Sequence, residues 1–501
     1  MPGTLRRWVW AAVCLVLVSL PFLAVDFVPS TDLPQHLGQL RLLGEAWSQE
    51  HNGLSIQWWT PYGLVYALMA LPWAVLSPVA AGRVSLWLLV LLGVGAVHLI
   101  AAKCQRPLAG AILATLFVFN AQLYWGFLNF LFGFLAFVCW YLLSRRSAEK
   151  DESDGWRTAG LFLAVAGVLY LSHALWFACG LLWLAIEAWL SRRSAKNLLW
   201  RAVGVGPVVL CALYWFTFLS HSDFSTAPEW TQSLLMRLHP LVVAQVAFGG
   251  LWHGIETPIV LIVVLWVVAS VVSRRKERCF GCDPYLLSLA GLFFVLYLVL
   301  PDKFSHTIRF SARWLPLVFV SLVLAVGRPR LRQAVRRAAA VAILGTYMVV
   351  TTAFWQAFEA NELDGLAESL AAIEGEPRVL GLSYLGASRY VRGRPFVQIF
   401  SWAYAVHGGT LNMSFADTPM SPVVYKDADR LQWTIGLEWV PKGVRRSDFS
   451  YFDYTLVGGD ESAHQTMLRL EELEPLVTEG VWRLYRIDSS GGLPLAPVSA
   501  P

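Results

Sequence analysis

Charge is what this sequence has least of. Only 15% of its 501 residues are Asp, Glu, Lys or Arg, where a soluble chain of this length carries roughly a quarter. That deficit excludes a cytosolic enzyme and a disordered chain. Cysteine is scarce too: the seven are Cys14, Cys104, Cys139, Cys179, Cys211, Cys279 and Cys282. None falls in the last 146 residues, so that part must rest on a core and not on disulfides. Cys279-Phe-Gly-Cys282 lacks a second pair that would complete four zinc ligands, and reads as two loop thiols. There is no HExxH, no paired HxH, no acidic DxD in an outer loop, no serine elbow, Walker loop or dinucleotide fingerprint. The sequence therefore implies no cofactor, and a divalent metal has no motif behind it. No long Lys/Arg tract or nucleic-acid motif is present, which removes nucleic acid as a partner.

What the chain has in abundance is apolar surface, 56% of its residues, and 24 tryptophans. Before residue 356, apolar segments recur near 8–27, 61–80, 84–102, 108–121, 124–144, 158–172, 174–191, 198–219, 257–273, 284–300, 311–327 and 335–354. Such runs predict a polytopic α-helical membrane protein. Residues 1–355 carry 27 basic and 15 acidic groups, and residues 356–501 carry 12 and 19. Of the 27, 21 sit in short clusters between segments, from Arg6-Arg7 to Arg328–Arg337, and the positive-inside rule puts those clusters in the cytoplasm. One crossing too many then lies between residue 28, outside, and Lys103, inside. Segment 61–80 is the weakest, with Pro61, Pro72 and Pro78, and Leu71-Pro72 interrupts a helical ladder. It is expected to lie at the outer interface without crossing. The count becomes about 11 transmembrane helices, with the amino terminus inside and residues 356–501 outside. The first segment has no small-residue cleavage site after it, so it reads as a span.

Residues 1–355 are thus expected to form a transmembrane module and 356–501 a small α/β extracytoplasmic domain. In the latter, an acidic amphipathic helix is expected over 356–373, strands over 378–384, 453–457 and 481–486, and a helix over 461–474.

Two outer stretches carry chemistry. Asp26-Phe-Val-Pro-Ser-Thr-Asp32-Leu-Pro-Gln-His36 follows the first span, and a carboxylate held just outside a span is costly and often functional. Asp32 before Leu33-Pro34 also resembles a helix start. On that reading Asp32 caps the helix and His36 stands exposed one turn on. The second stretch, Pro301 to Trp314, places Lys303, His306, Arg309 and Arg313 on the outside against the positive-inside pattern. Arg309 and Arg313 share a face if a helix starts there. Arginine grips phosphate bidentately and lysine acts as a point charge; the plain alternative is snorkelling to head groups. His173 lies at an outer turn on the same side. Tyr124-Trp125-Gly126-Phe127 forms another outer turn, suited to stacking on a sugar, while Trp58-Trp59 suits an interfacial anchor.

This layout resembles the GT-C superfamily of integral-membrane glycosyltransferases. The matching pieces are Asp32-Leu-Pro-Gln-His36, the non-crossing segment from Trp58 to Pro78, and Ala80-Ala-Gly-Arg83-Val-Ser85 opening the second crossing. Many members have two adjacent acidic residues after the first span, whereas Asp32 is followed by Leu33. The resemblance implies inverting transfer of a sugar from a polyprenyl-phosphate donor to a lipid, glycan or protein acceptor at the outer face. It implies Asp32 as general base, His36 orienting it or the acceptor, and Lys303, His306, Arg309, Arg313 and His173 binding substrate. Membrane lipids are the remaining partner, and a bacterial inner membrane the expected location. A transporter or flippase of lipid-linked saccharides would use the same basic cluster; a non-catalytic partner in polysaccharide assembly is a third alternative. A transporter would need charged or broken helices at mid-membrane, and Glu187, near a cytoplasmic end, is the main candidate.

Overall fold

The computed structural model describes residues 3–48, 53–146, 155–220, 226–275, 282–305, 307–426, 431–470 and 472–488. His306 and the Cys279 end of the Cys279–Cys282 pair lie outside the described residues. Among the described residues, nine helical segments are long and apolar enough to cross a membrane, from Arg7–Ala24 to Gln333–Glu362, one of them, Leu108–Trp125, internally broken. Two shorter apolar helices, Pro284–Val299 and Ala312–Ala325, pack against each other and match the two remaining expected crossings. The chain is an integral, multi-pass membrane protein. Segment 61–80 contributes only the helix Leu64–Trp73, with Pro72 inside it. Ten residues rise about 15 Å, half of a hydrocarbon core roughly 30 Å thick, so this helix cannot cross.

Expected segment 108–121 is not one helix. It runs as Leu108–Thr115, a 3₁₀ turn at Leu116–Val118, and a separate helix Ala121–Trp125. Irregular backbone at this depth needs internal partners, and it has them. Asn120 caps the second piece, accepting from the Gln122 N–H at 2.9 Å and donating to the Phe117 carbonyl at 2.6 Å. The Ala121 N–H donates to the Phe248 carbonyl at 2.5 Å. The break turns Tyr124–Phe127 toward the first outer loop.

At the other end of the bundle, Glu187 is fully buried and pairs with two arginines, Arg193 at 2.5 Å and Arg201 at 2.7 Å. Both guanidiniums also donate to the Ser144 carbonyl. This cluster joins three helices, Leu128–Arg146, Ala174–Ser191 and Ala195–Ser220, at one point. Glu187 is therefore engaged in packing these helices.

The polar part differs from expectation in its helices. The span Gln333–Glu362 runs through residue 356 without a break, and a bend at Gly365 leads to a short helix, Leu366–Ala371, in place of one helix over 356–373. Gly365 has φ +80°, and a β-carbon there would clash with the Trp482 carbonyl. The second helix is Glu461–Leu468, shorter than the expected 461–474 because Leu473–Pro475 becomes an edge strand. The sheet order is Thr410–Leu411, Arg378–Ser383, Tyr454–Gly458, Trp482–Ile487, Leu473–Pro475. The first two pairings are parallel and the last two antiparallel, which is the expected mixed α/β arrangement.

Glu187→Gln would leave two guanidiniums buried around a neutral amide. Removing one partner of a buried ion pair costs about 3–5 kcal/mol. Thermal unfolding in detergent should show a clear fall in Tm for Glu187→Gln, with none for Glu368→Gln on the exposed face of the polar region.

Candidate active site

Leu33–Trp47 is a helix because Pro34 sits at its start, where a missing N–H is harmless, and because Leu33, Leu37 and Leu40 line one buried face. Asp32 occupies the N-cap position, yet its side chain makes no capping hydrogen bond. The cap reading is thereby corrected in its chemistry: the position is a cap, the carboxylate is not the capping group. The backbone of this segment is instead tied to the Tyr124–Gly126 turn. The Thr31 N–H donates to the Tyr124 carbonyl at 2.9 Å and the Asp32 N–H to the Trp125 carbonyl at 3.2 Å. Gly126 has φ +77°, and a β-carbon there would lie 2.6 Å from the Asp32 nitrogen. Only glycine permits that approach.

His36 is buried, not exposed as the cap reading supposes. Its Nε2 lies 3.1 Å from the Gly126 carbonyl, which can only accept, so Nε2 carries the proton. Nδ1 then accepts from the Tyr66 hydroxyl at 2.7 Å. Burial pushes the His36 pKa down to about 4, partly offset by the Gly126 carbonyl. Both nitrogens are engaged, so neutral His36 ties the helix to the turn.

Asp32 faces a cavity of about 850 Å³. Its side chain has no hydrogen bond among the described residues. Burial raises its pKa to about 7, and Arg313 pulls it partly back. Arg313 lines the same cavity, with its guanidinium 4.0 Å over the Phe127 ring and one hydrogen bond, 3.0 Å, to the Ile308 carbonyl. Its Nε has no partner among the described residues, and it is 5% exposed. A snorkelling arginine would be exposed toward lipid; this one is enclosed.

Arg309 and Arg313 do not share a helix face. Lys303–Phe304 pairs with Thr307–Ile308 as a hairpin, and Arg309 follows with φ +55°. Helical structure begins only at Ala312, because Asp302 holds the hairpin closed by accepting from Ser311 and pairing with Arg237. Arg309 does not line the cavity; it lies beside Trp125 and Gly249. Burial, with the like charge of Arg392, lowers its pKa to about 10. Lys303 stands at the cavity rim, paired with Glu229 at 3.1 Å and half exposed. His173 lines the cavity too, but its Nδ1 accepts from the Leu175 N–H and so caps a helix. The cavity thus gathers Asp32, His36, His173, Lys303 and Arg313, and leaves Arg309 beside it.

Sequence reasoning missed the opposite wall. Gln398, Asn412, Asp417, Glu438 and Trp439 of the polar region line the cavity. They are brought there by buried amides of the helix that follows Asp32. Gln35 Nε2 donates to Gln398 and Ser401, and its Oε1 accepts from the Phe415 N–H. Gln39 accepts from the Val423 N–H, and Leu54–Ile56 pairs antiparallel with Val423–Tyr425. The available signal was Gln35 and Gln39, four residues apart on a face that must be buried. Glu256 was missed as well; it is buried and accepts from three consecutive N–H groups, Gly249 to Leu251. Among the described residues no group of three or more His, Cys, Asp or Glu could hold a metal ion.

No protein-family model matches the chain, and no curated protein matches it. Solved structures do. ArnT from Cupriavidus metallidurans in the apo state superposes with a TM-score of 0.55 at 13% identity, over 99% of this chain and 100% of that one. The same protein bound to undecaprenyl phosphate gives 0.53 at 11%, over 98% and 100%. The chain has the GT-C fold. Within this fold, the two helices after the first span, Leu33–Trp47 and Leu64–Trp73, are the non-crossing elements that the resemblance implies.

A methyl group at Gly126 would push Asp32 away, and left-handed backbone costs a non-glycine residue about 1–2 kcal/mol besides. Gly126→Ala should therefore lower Tm in detergent. Gly167→Ala, in a helix with open space around it, should leave Tm unchanged or raise it. Equal effects of the two would show that the Asp32–Gly126 approach is not tight.

Proposed function

We propose that this chain is an inverting glycosyltransferase that moves a sugar from a polyprenyl-phosphate donor to a lipid, glycan or protein acceptor at the extracytoplasmic face. The observation that carries this reading is Asp32: a carboxylate at a helix start that does not cap, aimed into a large cavity that also holds Arg313. The fold supports it, as does the solved ArnT structure with undecaprenyl phosphate bound. In the proposed step, the acceptor hydroxyl oxygen attacks the anomeric carbon and its proton passes to Asp32. The bond from that carbon to the phosphate oxygen breaks, and its electron pair leaves with the polyprenyl phosphate. Arg313 and, from the rim, Lys303 balance the charge that develops there. Arg309 stands beside this pair and adds to the positive field. His36 acts as a positioning residue through Gly126 and Tyr66. One direct displacement inverts the anomeric centre.

A base must be ionised to work, and a carboxyl near pH 7 is half ionised there. Turnover should rise with pH through about 7 and level off above it. Asp32→Asn should remove roughly 10²- to 10⁴-fold of turnover and abolish that rise. It should leave binding of sugar-free polyprenyl phosphate near normal. Arg313→Gln should do the reverse, weakening that lipid by about tenfold or more. A loss below tenfold for Asp32→Asn, measured with radiolabelled donor, would sink its role as base.

The orientation, amino terminus inside and polar region outside a bacterial inner membrane, rests on the basic loops. In intact cells an impermeant maleimide should label Ser462→Cys, and Lys103→Cys only after lysis. The opposite pattern would overturn it.

A further inference from the structure

Beside the large cavity lies a much smaller one, of about 40 Å³, at the break between the helices Leu108–Thr115 and Ala121–Trp125. Its wall is mostly apolar, with Val90, Val118, Phe134 and Leu317 among the lining side chains. Among the described residues three polar side chains interrupt that wall: Asn120, Gln122 and Arg313. Arg313 lines both cavities and so stands between them.

Asn120 is accounted for, since its amide closes the helix break at both ends. Gln122 is not. It is 1% exposed, yet neither its amide oxygen nor its amide nitrogen has a partner among the described residues. Its backbone is engaged, the N–H with Asn120 and the carbonyl with the Phe127 N–H at 2.9 Å, which fixes where the side chain starts. The Arg313 Nε is in the same position: buried, and without a partner among the described residues. The rest of that guanidinium meets the Ile308 carbonyl and the rings of Phe127 and Phe130.

One small cavity therefore brings together an acceptor, the Gln122 amide oxygen, and two kinds of donor, the amide N–H groups and the Nε–H of Arg313. Burying such groups unbonded is costly. A chloride would satisfy the donors and face the amide oxygen as like charge, and a cation would meet the guanidinium. Water both donates and accepts. It needs roughly 10–15 Å³ of such space and two to four polar partners, and this cavity supplies both.

We propose that the cavity holds ordered water linking the Gln122 amide to the Nε–H of Arg313, which makes Gln122 a positioning residue for that arginine. The inference rests on the reading of Arg313 as the group that meets the donor phosphate. A water-mediated hydrogen bond is enthalpically nearly as good as a direct one. Held from behind through Nε and at one side by the Ile308 carbonyl, the guanidinium is oriented by neutral groups alone. Its charge then stays available to the large cavity. A carboxylate in place of the amide would pair with that charge and withdraw it.

The test uses the full chain in detergent, with undecaprenyl phosphate as the binding probe and Tm without ligand as a second readout. Gln122→Met keeps the length of the side chain and removes the amide; it should weaken the lipid by about tenfold. Gln122→Glu should weaken it further at pH 8. Its loss relative to wild type at the same pH should shrink as the pH falls and the introduced carboxyl takes up a proton. A role confined to packing would give no such pH dependence. In the ligand-free protein, Gln122→Met and Arg313→Gln should be coupled, the double variant losing clearly less Tm than the two singles summed. Gln122→Met and Lys303→Met should add, because Lys303 stands at the rim of the other cavity. If Arg313→Gln does not fold, the pH contrast of Gln122→Glu carries the test. Additive losses for Gln122 and Arg313, or wild-type lipid affinity in both Gln122 variants, would overturn the proposal. Coupled losses in a wild type that does not bind undecaprenyl phosphate would instead strike the phosphate role of Arg313 and leave the water link standing.

Discussion

The meeting of Thr31-Asp32 with the turn Tyr124–Gly126 is the constraint on which the site depends. Two backbone hydrogen bonds run from the first outer loop to this turn, and Gly126 brings the chains within van der Waals limits. Thr31 and Asp32 donate their N–H groups there, and the helix that follows begins without a side-chain cap. The Asp32 carboxylate is left facing the cavity. His36, one turn on, returns to the same glycine through its carbonyl. A carboxyl raised to about 7 is the electrostatic consequence, since burial removes water that no N–H replaces.

The turn is in the right place because a membrane helix is broken. Continuous helix through Leu116–Asn120 would have carried Tyr124 and Trp125 away from the loop. Asn120 closes the break with its own side chain, and Phe248 supplies a carbonyl from the loop before the helix His253–Arg275. That loop is itself held by Glu256, whose carboxylate gathers three N–H groups. The cavity end is thus assembled from irregular backbone, each piece satisfied by the next, as a water-poor environment demands.

Charges at the two ends of the bundle are handled differently. Glu187 draws two arginines into a buried cluster and fixes three helices. Arg7 and Arg336, by contrast, are held by backbone carbonyls, those of Ala101 and of Pro329 and Leu331. At the end that holds the large cavity, Lys303 is matched by Glu229, whereas Arg313 keeps an unpartnered Nε among the described residues and leans on Phe127.

Composition and periodicity alone determined the membrane class, most of the spanning helices and the non-crossing Leu64–Trp73, because hydrophobic length and proline position act locally. They also pointed to Asp32 and to the basic hairpin, because a charge outside a span departs from a simple rule. Local pattern misjudged Arg309 and Arg313, whose spacing suggests one helix face until Asp302 is seen closing a hairpin just before Arg309 and delaying the helix to Ala312. It also left His36 exposed and the polar region remote. Only the tertiary structure decided that Gln398, Asn412 and Glu438 face Asp32 across one cavity. Those partners lie more than 360 residues apart in sequence, and what joins them is the need of buried Gln35 and Gln39 for hydrogen bonds. A need of that kind is written in the residues, but which groups satisfy it is settled only when the chain has closed around them.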